Sequence, residues 1–207
     1  MRSSLLAPVV VSFLAAAGCG RLGYGPASGD ASPPDASPPD ASPPDASPPD
    51  ASPYEYIWRE CESGTLVGTM TSVADGTASG GAYAVVPSGA ADWNWSSSAP
   101  SLPPNRVALS LTLAHAGAHT VWVRFYGVSG SEDAWYAGFG AADMRRFFDN
   151  TKHGTWAWMR GSNDVPTDLI FAGLTAGPTT LVLGPGEAGA RCDRVLVTDD
   201  PVYTPGP

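Results

Sequence analysis

The sequence predicts an all-β domain, an antiparallel β-sandwich of about ten strands, preceded by a disordered proline-rich stalk. Three observations carry this. Apolar residues alternate with polar ones over short runs, as strands with one buried face require. Each run is bounded by Gly, Pro, Asn or Ser, and no stretch shows a convincing helical period. The 21 prolines and 24 glycines of the 207-residue chain are unevenly spread, nine of the prolines falling between Pro33 and Pro53.

The elements are taken in chain order. Residues 1–18 read as a signal peptide: Arg2 supplies an early positive charge and Leu5 to Ala17 an apolar run too short to span a bilayer comfortably. Ala16, Ala17 and Gly18 lead into Cys19, a pattern that resembles a bacterial lipobox, in which the cysteine is lipidated and becomes the mature N-terminus. Leu is commonest where Ala16 stands, and ordinary signal-peptide cleavage nearby, giving a secreted protein, is the alternative. A lipid on Cys19 implies an outer-membrane or cell-surface lipoprotein, touching the membrane only through that anchor. Residues 19–53 form the anchored N-terminus and linker. From Asp30, DASPP repeats four times. Lacking any apolar residue larger than alanine or proline, the repeat cannot bury a core, and paired prolines favour extended polyproline II. Its residues, at about 3.1 Å each, span up to roughly 70 Å.

Residues 54–207 are enough for one core and too few for two ordinary domains. Within Arg106 to Tyr126, Val107, Leu109, Leu111 and Leu113 alternate, AHAGAH intervenes, and Val121, Val123 and Phe125 resume the pattern, which predicts a hairpin with one buried face. Further strands are expected at Tyr56 to Cys61, Ala82 to Val86, Ala134 to Phe139, Thr155 to Met159, Asp168 to Phe171, Thr179 to Leu183 and Cys192 to Thr198, with a helical turn within Ala141 to Phe148. The net charge of -9, with Lys152 the sole lysine, argues against a nucleic-acid partner and against docking on an anionic membrane by charge. With Cys19 assigned to the lipid, Cys61 and Cys192 remain as an even pair on an exported chain, read as a disulfide, with two buried free thiols the alternative.

Seven segments, in order, resemble carbohydrate-binding modules of families 6 and 35. Trp58-Arg59-Glu60-Cys61-Glu62-Ser63-Gly64 looks like their "E-A-E" opening strand, and Ala78-Ser79-Gly80-Gly81-Ala82-Tyr83-Ala84 is similar to "ASGGxYV". Residues 116–124 match "aGtYtlwvR" with His119 in place of tyrosine, residues 132–136 resemble "DSfyv", and residues 154–158 resemble "gxWxW". Residues 174–181 look like "L-x-aG-x-Htl", and residues 192–200 look like "l-D-r-v-l-v-T-d-D". The resemblance implies a galactose-binding-like β-jelly roll, a monomer that binds polysaccharide or glycan without catalysis. A structural or adhesive envelope module contacting protein is the other function considered.

The resemblance also implies a structural calcium held by Glu60, Glu62 and Asp193, oxygen ligands of the kind Ca²⁺ takes, with carbonyls of the Ala78 to Gly81 turn completing the shell. A solvated acidic edge facing Arg59, Arg191 or Arg194 is the alternative. Such a calcium site would bring Cys61 and Cys192 onto neighbouring strands. Sugar is expected on Tyr83, Trp93, Trp95 and Trp156, with Asn163 and Asp164 as polar companions, because aromatic faces receive the apolar side of a pyranose. Trp58, Trp122 and Trp158 are assigned to packing. His115 and His119 have the spacing of a helical zinc pair, but they flank a turn between strands with no glutamate beside them, and are read as structural. No G-x-S-x-G elbow occurs.

Overall fold

The computed structural model describes residues 52–96, 98–148, 151–162 and 169–206. The chain divides into two units, residues 1–47 and 48–207, and everything described lies in the second. The signal peptide, Cys19, nearly all of the stalk, Asn163 and Asp164 lie outside the described residues.

The domain is an antiparallel β-sandwich of two sheets. Among the described residues twelve strands run β1 (Tyr56–Glu60), β2 (Thr65–Val67), β3 (Thr71–Ala74), β4 (Ala82–Val85), β5 (Arg106–Leu113), β6 (Gly117–Tyr126), β7 (Ala134–Gly138), β8 (Arg145–Phe148), β9 (Trp156–Met159), β10 (Ile170–Leu174), β11 (Gly177–Pro185) and β12 (Arg191–Thr198). One sheet is ordered β10-β6-β12-β4-β3, with β9 also on β6 and β1 also on β12; the other is β2-β5-β11-β7-β8.

The expected β5–β6 hairpin is corrected. β5 pairs with β2 and β11 in the five-stranded sheet, whereas β6 pairs with β12, β9 and β10 in the seven-stranded one. The AHAGAH connection therefore crosses between the layers. Both strands still bury the alternating residues named above, from opposite sides of one core: Val107, Leu109, Leu111 and Leu113 of β5, and Val121, Val123 and Phe125 of β6, are at most 3% exposed. Each such side chain contributes about 1.5–3 kcal/mol on burial. Phe125 meets Phe147 of β8 edge-on across the layers, at 5.8 Å between centroids. The helical turn expected within Ala141 to Phe148 is a single 3-10 turn at Ala141–Asp143, followed by β8. Strands β2, β3 and β8 are short and mostly half-exposed or exposed, so they show little alternation.

One detail of the seven-stranded sheet positions the acidic residues. The edge of β12 that faces away from β6 is shared: Arg194 to Thr198 pair with β1, and Arg191 and Cys192 pair with β4. β1 ends at Glu60, and the chain leaves in a 3-10 turn, Cys61–Ser63, making room for β4. Cys61 thereby meets Cys192 in a disulfide with Cα atoms 5.9 Å apart.

Candidate functional site

Alternation along β6 sends Trp122, Arg124 and Tyr126 to the outer face of the seven-stranded sheet while Val121, Val123 and Phe125 face the core. Register supplies their neighbours. Arg124 lies opposite Arg194 of β12 and Trp158 of β9; Tyr126 lies opposite Arg191 and Trp156; Trp122 and Trp58 flank Leu196. Aromatic rings and guanidinium groups therefore interleave, with Arg194 4.4 Å from the Trp58 centroid, Arg124 5.4 Å from Trp156 and Arg160 5.2 Å from Trp122. Arg191 sits between Tyr83 and Tyr126, at 5.0 and 4.7 Å. Cation–π pairs of this kind hold rings and cations in fixed relative positions.

Two adjoining cavities open on this face. The larger, ≈ 630 Å³, is walled by Trp122, Trp156, Trp158, Arg124 and Lys152, and by Thr204 and Pro205 of the C-terminal segment. The smaller, ≈ 340 Å³, shares Arg124, Trp158 and Thr77 with it and continues to Trp58, Ser79 and Arg194. These volumes lie within the range of small-molecule sites. The Trp156 ring is fixed on three sides: Tyr83 and Tyr126 pack edge-on at 5.7 and 5.3 Å, and its Nε1–H donates to Thr77 Oγ1 at 3.0 Å. The Thr77 hydroxyl donates in turn to Asp75 Oδ1 at 2.7 Å, which also accepts from the Thr77 backbone N–H at 2.8 Å.

Of the aromatic residues the sequence nominated, Tyr83 and Trp156 come together here. Trp93 and Trp95 lie on the opposite sheet, packed with Leu102 over Tyr136, Met144 and Val182. Trp93 meets Tyr136 edge-on at 4.9 Å, and Trp95 Nε1–H donates to the Ala141 carbonyl at 2.8 Å. Trp58, Trp122 and Trp158, assigned to packing from sequence, do pack on the sheet, Trp58 edge-on to Trp158 at 5.6 Å and Trp122 only 8% exposed, and they border the two cavities as well. The signal for them was present: Trp122, Arg124 and Tyr126, and Trp156 and Trp158, occupy alternate positions on the face opposite the core residues.

The acidic residues converge beneath the smaller cavity. A register shift between Cys192 and Arg194 marks a bulge at Asp193, which is fully buried. One oxygen of each carboxylate (Glu60 Oε2, Glu62 Oε2 and Asp193 Oδ1) is buried without a hydrogen-bond partner. Burial, with the repulsion of Glu60 and Asp193, pushes the Glu62 carboxyl above its ordinary range; burial raises Asp193 against the opposing pull of Arg124. The turn at Ser79–Gly81 lies against them. Gly80 and Gly81 take positive φ of 66° and 84°, and a Cβ on Gly80 would stand 3.2 Å from Glu62 Oε1. Ser79 donates through its hydroxyl to Glu60 Oε1 at 3.0 Å and through its backbone N–H to Asp193. The alternative read from sequence, basic partners, is also realised in part: Arg124 pairs with Asp193, and Arg194 Nε lies 3.2 Å from Glu60 Oε1. Three unsatisfied buried carboxylate oxygens fit a hard divalent cation.

No family model matches the chain, and no curated protein sequence matches it. Among solved structures it is similar to a family 35 carbohydrate binding module from Clostridium thermocellum, at 19% identity and a TM-score of 0.47, over 68% of this chain and 97% of that one. It is also similar to a GH26-CBM35 β-(1,4)-mannanase from Podospora anserina, at 12% identity and a TM-score of 0.48, over 73% of this chain. A third is an exo-β-1,3-galactanase from Phanerochaete chrysosporium with galactose, at 15% identity and a TM-score of 0.43, over 69% of this chain. The match spans 28% of the mannanase chain and 29% of the galactanase chain.

Proposed function

We propose that this domain binds carbohydrate without transforming it, on the outer face of the seven-stranded sheet, and that Cys19 carries it as a lipoprotein on the cell surface. The observation that supports the site is the ≈ 630 Å³ cavity walled by Trp122, Trp156 and Trp158. Indole faces receive the C–H side of a pyranose, and Arg124 and Lys152 on the same wall supply donors for its hydroxyls. The seven ordered motifs that resemble modules of families 6 and 35 support the ligand class. One oxygen of Asp193 is taken by Arg124 and one of Glu60 by the Ser79 hydroxyl, which suits a binding role better than an acid–base pair. In this reading Glu60, Glu62 and Asp193 hold a calcium whose charge satisfies their buried oxygens and keeps β1, β12 and the Ser79–Gly81 turn together.

Glycan-array and pull-down measurements test the proposal. Binding of a soluble or insoluble polysaccharide is expected, with Trp156→Ala weakening it about tenfold, the worth of one aromatic contact. Silence across the polysaccharides, or binding indifferent to both Trp156→Ala and Trp158→Ala, would refute it. Retained capture of a protein partner by those two variants would favour the adhesive function.

A further inference from the structure

At the end of the sandwich where β1 begins, four side chains from three separate parts of the chain meet. Glu55 precedes β1, His115 and His119 lie in and just beyond the connection from β5 to β6, and Asp199 follows β12. Ligand atoms of Glu55, His119 and Asp199 all lie within 4.8 Å of one another. His119 Nε2 is 2.7 Å from Glu55 Oε1, and His115 Nδ1 is 2.6 Å from Asp199 Oδ2.

We propose that this cluster is a zinc site, with Glu55, His119 and Asp199 as ligands and His115, whose Nδ1 lies 2.6 Å from Asp199 Oδ2, turning in from the solvent side as the fourth. Two imidazole nitrogens and two carboxylate oxygens form a donor set that suits zinc, whereas calcium takes oxygen alone. Zinc bonds of about 2.1 Å at tetrahedral angles put ligand atoms roughly 3.4 Å apart, so the two histidine–carboxylate contacts open by about 0.7 Å and the wider separations, up to 4.8 Å, close by at most about 1.4 Å.

The carboxylates are already oriented by an outer shell. Glu55 Oε2 accepts from the Ala114 backbone N–H at 2.9 Å, Glu55 Oε1 from that of His115 at 3.2 Å, and Asp199 Oδ1 from that of Glu55 at 2.7 Å. Such bonds fix metal-ligating groups in place. Burial completes the picture: the side chain of His119 is 0% exposed and that of Glu55 10%, while that of His115, at 46%, leaves a path by which an ion enters. The ion would tie the start of β1 and the end of β12 to the connection between the two sheets.

The test is zinc titration of the full chain by calorimetry in excess calcium, which keeps the acidic residues at the Ser79–Gly81 turn from competing. One zinc per chain is expected, with His115→Gln and Glu55→Gln each weakening it at least about tenfold. Cobalt in place of zinc should give the intense visible absorption of a tetrahedral centre. Because His115 is half-exposed, His115→Gln folds even where substitution of Glu55 or His119 is not tolerated, and it then decides alone. Absence of binding at about 100 μM zinc, binding unchanged in His115→Gln, or an octahedral cobalt spectrum overturns the proposal.

Discussion

Reducing the Cys61–Cys192 disulfide should lower the melting temperature by a calculable amount. The two residues are 131 apart, so the bridge closes a loop that contains most of the domain. Chain-entropy reasoning gives such a loop about 5 kcal/mol of stabilisation at 25 °C. For a domain of this size each kcal/mol moves the melting temperature by roughly 2–4 °C, so a loss of about 10–20 °C is expected. The effect has a local part as well. Cys61 stands between Glu60 and Glu62, and Cys192 precedes Asp193, so opening the bridge frees the turn that presents two of the three carboxylates. Calorimetry of the oxidised protein and of protein held in excess reductant measures the first part, and calcium titration of the same two samples measures the second. The double variant Cys61→Ala with Cys192→Ala should melt at least as low as the reduced protein, since both sites are fully buried. A reduced sample melting within about 3 °C of the oxidised one would refute the reasoning.

Calcium at about a hundred times its dissociation constant should stabilise the domain by about 2.7 kcal/mol over an EDTA-treated sample, and coincident melting curves would remove the calcium from the proposal. Replacing Gly184 by Ala should destabilise by about 1–3 kcal/mol, because its Cβ would stand 2.4 Å from Pro103 Cγ and lift the segment carrying Trp93 and Trp95; a melting curve like that of the parent would mean the segment yields freely. The Asp75 carboxyl is held below its ordinary range by the N–H and hydroxyl of Thr77, so the Trp156–Thr77–Asp75 relay is intact above that range and is lost as pH falls through the lowered value. Glycan affinity should therefore be insensitive to Asp75→Ala only at pH well below about 4 and should fall in that variant at neutral pH; equal affinity of parent and variant at neutral pH would dismiss the relay.

What the sequence determined by itself was the facing of strands. Alternation placed Val107 to Leu113 and Val121 to Phe125 in the core, and the position of Trp122 between Val121 and Val123 put it on the opposite side of its strand. The cysteine count, on a chain whose first residues read as a signal peptide, named the disulfide. Glu60, Glu62 and Asp193 were found through motif order. Partnership between strands was decided only by the tertiary structure, because the backbone bonds that join strands are the same for every residue and carry no sequence information; β5 and β6 read as a hairpin and belong to different sheets. The short strands β2, β3 and β8 escaped notice because they bury too little for an alternating pattern to form. The aromatic residues divided for a similar reason. Sequence identified Trp93, Trp95 and Trp156 as candidates, but which sheet carries a tryptophan was decided only by the fold: Trp93 and Trp95 pack with Leu102 on the five-stranded sheet, where Trp95 borders a cavity of ≈ 490 Å³, and Trp156 lies with Arg124 and Trp158 on the seven-stranded one. His115 and His119 were set aside for want of a nearby acid, which the fold brings from Glu55 and Asp199, 60 and 84 residues away from His115.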